Sequence, residues 1–181
     1  MPSRPPRPGG SADDLAQVAI DRARTAAQRA DEPHPPWSVS LSQALLLLTM
    51  GSGDLALTLV RRAIGEVVMG APGSAQILGA LHLRAAVAAA RIGRASDAWE
   101  HHGIAAEVVA RMSPQERSDR YGLQVTPANV AVHGCAVSTE LGDHDQAIRL
   151  DEKIRLPESG LCGLPSRFRL SGREGRCCPG G

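Results

Sequence analysis

Large aromatic side chains are nearly missing from this chain: one Phe, one Tyr and two Trp stand among 181 residues, 2% of the total. Hydrophobic residues nevertheless make up 43%, so the core must be filled by Ala, Leu, Val and Ile. That balance favours closely packed helices over a sheet sandwich, because strands prefer aromatic and β-branched residues. Lysine is almost absent as well, Lys153 being the one lysine among 20 basic residues. With a formal net charge of +1, the chain has no general electrostatic drive towards nucleic acid, and heavy Arg and Ala usage reads as the mark of a GC-rich genome.

Metal and catalytic spacings are lacking too. The four cysteines are Cys135, in an apolar helical stretch, and Cys162, Cys177 and Cys178 near the end. None forms a C-x-x-C or has a partnering His pair, so no zinc site is expected and Cys135 reads as a small buried hydrophobe. No G-x-S-x-G occurs, and "GAPGSAQ" resembles a phosphate loop only superficially, lacking the lysine and the preceding strand. His101 and His102 are adjacent on a helix, so their side chains diverge by about 100° and cannot share an ion. Asp143, His144 and Asp145 stand at a helix start, where carboxylates serve as caps. The expectation is a non-catalytic protein with no cofactor and no metal.

Long hydrophobic runs are the last absence. "ALLLL" is far too short to span a membrane, and the opening "MPSRPPRPGG" has no apolar core of a signal peptide. A soluble cytoplasmic protein with reduced thiols is the expectation. Residues 1 to 10 read as a disordered arm. The Gly-, Arg- and Cys-rich residues 158 to 181 read as a disordered tail, frameshifted or truncated.

Between these ends the chain is rich in helical periodicity. Leu15, Val18, Ala19, Ala23, Ala26 and Ala30 mark an amphipathic helix, and the three prolines of "DEPHPPW" end it. Helices follow over "SVSLSQALLLLTM" and "DLALTLVRRAIGEVVM", the latter with an apolar face of Leu55, Leu59, Ala63 and Val67. Further helices follow over "AQILGALHLRAAVAAARI", "ASDAWEHHGIAAEVVARM", "TPANVAVHGCAVSTEL" and residues 144 to 155. A short helix followed by a loop fits residues 113 to 126.

One punctuation recurs: a glycine, then an alanine five residues on, at Gly51/Ala56, Gly93/Ala98 and Gly142/Ala147. The glycine supplies the left-handed residue that ends a helix, and the alanine keeps two crossing helices close. Three hairpins follow, at about 38–69, 74–112 and 127–155. A single hairpin cannot cover its own apolar face, so stacking is expected to make one domain over 11–157.

The runs "AAARIGRASDAWEHHGIAAEVV" and "VSTELGDHDQAIRLDEKI" resemble the turn and second helix of tetratricopeptide-type repeats, although their spacing exceeds the regular period and aliphatic residues stand at the usual aromatic positions. More broadly, residues 12 to 156 are similar to the C-terminal helical-repeat region of bacterial Xre/Cro-type helix-turn-helix regulators. The ten-residue arm is too short to be the DNA-binding domain of such a regulator. The resemblance implies an all-α, TPR-like solenoid of antiparallel hairpins that senses a ligand or joins proteins. Its expected partner is a protein or peptide in the groove of the first helices, with self-association possible, DNA reached only indirectly and no membrane. The candidate partner-binding residues are Arg61, Arg62, Arg84, Arg91, Arg94 and Trp99. Direct DNA binding through the Arg-rich ends and an independent scaffold role are the alternatives.

Overall fold

The computed structural model describes residues 12–29, 35–113, 116, 122–152 and 154. The expected arm at 1–10 and tail at 158–181 lie outside them, as does most of 114–121. All regular structure among the described residues is helical: α1 (Ala12–Arg29), α2 (Pro35–Thr49), α3 (Gly53–Gly65), α4 (Ser74–Arg91), α5 (Ala95–Arg111), α6 (Pro127–Glu140) and α7 (His144–Asp151). The described chain is all-α.

The three glycine turns close in the same way. Gly51, Gly93 and Gly142 have φ of +80°, +75° and +79°. The N–H of the following residue then reaches back five positions: Ser52 donates to the Leu47 carbonyl at 2.8 Å, Arg94 to Ala89 at 2.9 Å and Asp143 to Ser138 at 2.9 Å. This pattern satisfies the orphan carbonyls of the ending helix, which needs one left-handed residue. Each carbonyl after the glycine accepts the first bond of the next helix, from the N–H of Ala56, Ala98 and Ala147 respectively. Ala56 and Ala98 are completely buried. Ala147 is half-exposed, because α7 packs on α6 alone.

Every helix packs on its neighbour in sequence, and α6 meets α4 as well as α5. The first helices of the hairpins also touch one another, α2 on α4 and α4 on α6. Surrounded in this way, α4 is the central element. Ile77, Leu81, Ala85, Ala86, Ala88 and Ala89 show essentially no surface. They join Trp37, Ala44, Leu48, Leu57, Val60 and Val137 in the main core. Two helical glycines sit directly under side chains of residues that flank the helices, with no room for a methyl group unless those side chains shift. A Cβ on Gly53 would stand 2.5 Å from Cγ2 of Ile92, and one on Gly79 would stand 2.7 Å from Cγ1 of Val125.

Several expectations need correction. α2 begins at Pro35, three residues earlier than read, because proline in the first turn gives up an N–H that has no helical partner anyway. α3 ends at Gly65, and Val67 follows it as a loop residue packed on the core. α7 stops at Asp151. The buried face of α3 is Gly53, Ala56, Leu57, Val60 and Ala63, whereas Leu55 is exposed. Small residues choose that face, since only they admit α2 and α4 at short range. Among the described side chains of α1 only Ile20 is buried, against Val39 and Leu46. Leu15 and Val18 of the expected apolar stripe are 71% and 50% exposed, and Cys135 is half-exposed as a free thiol.

Candidate functional site

The six candidate residues come from three helices and the turn before the last of them. Arg61 and Arg62 lie on α3, Arg84 and Arg91 on α4, and Trp99 on α5 just after Arg94. Each arginine except one is engaged within the fold. Arg62 pairs with Glu66 one turn on, at 2.9 Å. Arg61 crosses to α5, donating to Asp97 Oδ2 at 2.9 Å, and Arg94 approaches the same carboxylate at 3.8 Å. Trp99 is partly buried against the main core. Its ring meets that of His102 edge-on with centroids 5.4 Å apart.

Arg91 binds across the ends of three helices. From the last turn of α4 it donates to the Leu48 carbonyl of α2 at 2.9 Å and to Glu140, at the end of α6, through both Nε and Nη2. These bonds to Glu140 raise the guanidinium pKa further. The residue therefore ties the first helices of the three hairpins together at one end.

Arg84 is the exception. It occupies the middle of α4, half-buried, and its Nε is shut off from solvent with no hydrogen-bond partner among the described residues. Burial lowers its pKa, the direction expected for a cation whose hydration is not replaced. His133 of α6 lies within reach of its charge. Burial holds the imidazole pKa down, the Asn129 carbonyl opposes this, and Arg84 and His102 add to the lowering. The Asn129 side-chain oxygen is also buried without a partner. Val132, beside them on α6, is exposed.

A second polar group was missed in the sequence. His82 of α4 is buried and its Nδ1 lies 3.0 Å from Nδ1 of His101 on α5. His101 Nε2 accepts from Arg61 Nε at 3.4 Å. That assignment leaves the His101 proton on Nδ1, donating to His82, whose own proton then sits on Nε2. Burial lowers both pKa values. For His82 the fall reaches about 4, with His101 contributing after burial. The available signal was hairpin symmetry: residues 82 and 101 lie at similar distances on either side of the turn at Gly93. His102, diverging as expected, instead pairs Nε2 with the Val130 carbonyl at 2.9 Å.

Among the described residues no three of His, Cys, Asp and Glu gather as metal ligands, and no helix is long and apolar enough to cross a membrane. Asp143 and Thr126 cap their helices, accepting from the backbone N–H of Gln146 and Asn129. Asp143 thus makes the capping bond expected of it. No protein-family model, curated protein or solved structure matches the chain.

Proposed function

We propose that this protein is a TPR-like helical-repeat module that works by binding a protein or peptide and performs no catalysis. On this reading it is related to the repeat regions of helix-turn-helix regulators. Support comes from the recurrent hairpin turn and from the contact of first helix on first helix, α2 to α4 to α6. Such an array offers one continuous face for a partner helix or extended peptide.

The observation that carries the reading is Arg84. A half-buried guanidinium with an unpartnered Nε destabilises the free protein. Its retention in the central helix is accounted for by an acidic group on the partner, supplied when the partner lies along α4 and α6. Of the six candidate residues, Arg84 is therefore assigned to the partner. Arg61, Arg91 and Arg94 hold the scaffold, and Arg62 pairs within its own helix.

The test uses the full chain with Arg84→Met, and a panel of matched helical peptides carrying either Glu or Gln. Without peptide, Arg84→Met is expected to raise the melting temperature by about 2–4 °C, since an unpaired, desolvated charge is removed. Glu peptides should raise the melting temperature of the native chain, but not of the variant. A variant that melts lower, or Glu and Gln peptides that act equally, would overturn the assignment.

A further inference from the structure

The contact order of the helices repeats, and the repetition leaves one place unfilled. α2 lies against both α3 and α4, and α4 against both α5 and α6. Each of these first helices therefore fills the groove between the next two helices of the chain. α1 and α2 form the corresponding groove at the start of the array, and no described helix enters it. It is open, about 540 Å³ in volume, with Ala19, Ile20 and Ala23 of α1 on one wall and Ser42, Leu45 and Thr49 of α2 on the other.

Register counted from the turn glycines shows what the same wall does in the later hairpins. Six residues before Gly51, Gly93 and Gly142 stand Leu45, Val87 and Ala136. Val87 and Ala136 are half-buried, Val87 against the main core, whereas Leu45 is 48% exposed. Two residues before the same glycines stand Thr49, Arg91 and Glu140. Arg91 donates to the Leu48 carbonyl of the preceding first helix, and Glu140 accepts from Arg91 of the first helix before its own. Thr49 has no first helix before it among the described residues and turns its hydroxyl back to the Leu46 carbonyl at 2.7 Å. The wall that meets a preceding first helix in α4 and α6 is thus the wall left open in α2.

We propose that the groove between α1 and α2 binds an apolar helix of a partner protein, which takes the place of a preceding first helix and extends the array by one element. The chemistry of that helix is read from the helices that fill the equivalent grooves. α2 turns Leu41 and Ala44 into the main core, and α4 carries Leu83 and Ala86 at the same distances from its own turn glycine, both buried. The partner helix accordingly presents a leucine and, three residues on, an alanine, because a larger side chain there would hold the helices apart. Residues 1–11 contain neither residue, and the first helices of a second copy are already packed in their own array. The end face of a stacked array requires covering, and a helix laid into an apolar groove is a recurring mode of recognition. The groove is separate from Arg84, so this proposal and the acidic-partner one can fail independently.

The probe is a fluorescently labelled peptide of residues 35–49 with lysines added at both ends for solubility; it carries the Leu41 and Ala44 pattern and no acidic residue. Its anisotropy is titrated with the full chain, and circular dichroism monitors the helix content of each variant. Saturable binding is expected, with a Kd on the order of 10–100 μM. Leu45→Asp and Ala19→Asp, one on each wall, should each weaken it about tenfold by setting a charge against the apolar helix. Leu55→Asp, at an exposed position of α3 outside the groove, and Arg84→Met should leave it unchanged. The peptide with Ala44→Trp should also bind about tenfold more weakly. No saturable binding at about 1 mM chain overturns the proposal. So does a peptide indifferent to both groove substitutions, the result expected if it displaced the chain's own α2 from between α3 and α4. Equal binding of the Ala44→Trp peptide overturns the chemistry assigned to the partner. A chain that dimerises in sedimentation equilibrium, and ceases to with Leu45→Asp, gives the groove to a second copy and overturns the partner assignment. If one groove variant loses helix content, the other decides on the same criteria.

Discussion

The His82–His101 contact makes the stability of the fold depend on pH in a calculable direction. His82 is 6% exposed, and its pKa falls from 6.5 to about 4, through burial first and the neighbouring His101 second. The unfolded chain therefore binds the proton more tightly than the folded one between these values. The stabilising contribution of the neutral ring is complete above about pH 6.5 and is lost as pH falls towards 4. At about pH 5 the two pKa values correspond to a loss of about 2 kcal/mol, and solvent screening reduces this to roughly 1 kcal/mol. The groups facing the pair are Arg61 from α3 and Asp97 and Glu100 from α5; Arg61 opposes protonation of His101 and the two acids favour it. Two neutral rings can share one N–H across 3.0 Å, whereas a second proton sets donor against donor. The assay is urea unfolding of the native chain and His82→Gln at about pH 7.5 and pH 5. The native chain should lose about 1 kcal/mol more than the variant on acidification. Equal losses, or a native chain more stable at the lower pH, would refute the reasoning.

Two further perturbations test the scaffold. Ala98 is completely buried, so Ala98→Leu should destabilise the fold by about 3 kcal/mol in chemical denaturation. The equivalent Ala147→Leu, on half-exposed α7, should change stability by less than about 0.5 kcal/mol. Similar effects at the two sites would contradict the packing described for the turn alanines. Arg91→Met removes the bonds to Leu48 and Glu140 and should cost about 1 kcal/mol, less at high salt. An increase in stability would show that the clamp across the helix ends contributes nothing.

The legible part of the fold is the part governed by local chemistry. Gly51, Gly93 and Gly142 could be found because a left-handed residue at a helix end has few alternatives to glycine, and Thr126 and Asp143 because their oxygens cap the backbone immediately after them. Rotation of a helix about its axis was harder to read. In α3, Leu55 and Leu59 are as apolar as Leu57 and Val60, so periodicity alone admits more than one face. The choice is made by Gly53 and Ala56, whose small size lets neighbouring helices come near. Alanine-rich helices are apolar around most of their circumference, and phase then becomes a property of packing between helices.

The same reasoning explains which polar residues could be read as a site. Counting arginines in sequence located the cations but not their counterions, which lie far along the chain: Asp97 is 36 residues from Arg61 and Glu140 is 49 from Arg91. Hairpin stacking brings those pairs together, so a charge in the sequence acquires a structural or a binding role only when the neighbouring hairpin is placed. Arg84 differs from the others by lacking such a counterion among the described residues. That difference concerns an absent neighbour, and no feature of residues 80 to 88 could display it. On the proposed reading, the partner-facing residue is thus found by subtraction, by asking which buried or half-buried charges the fold has left without a partner.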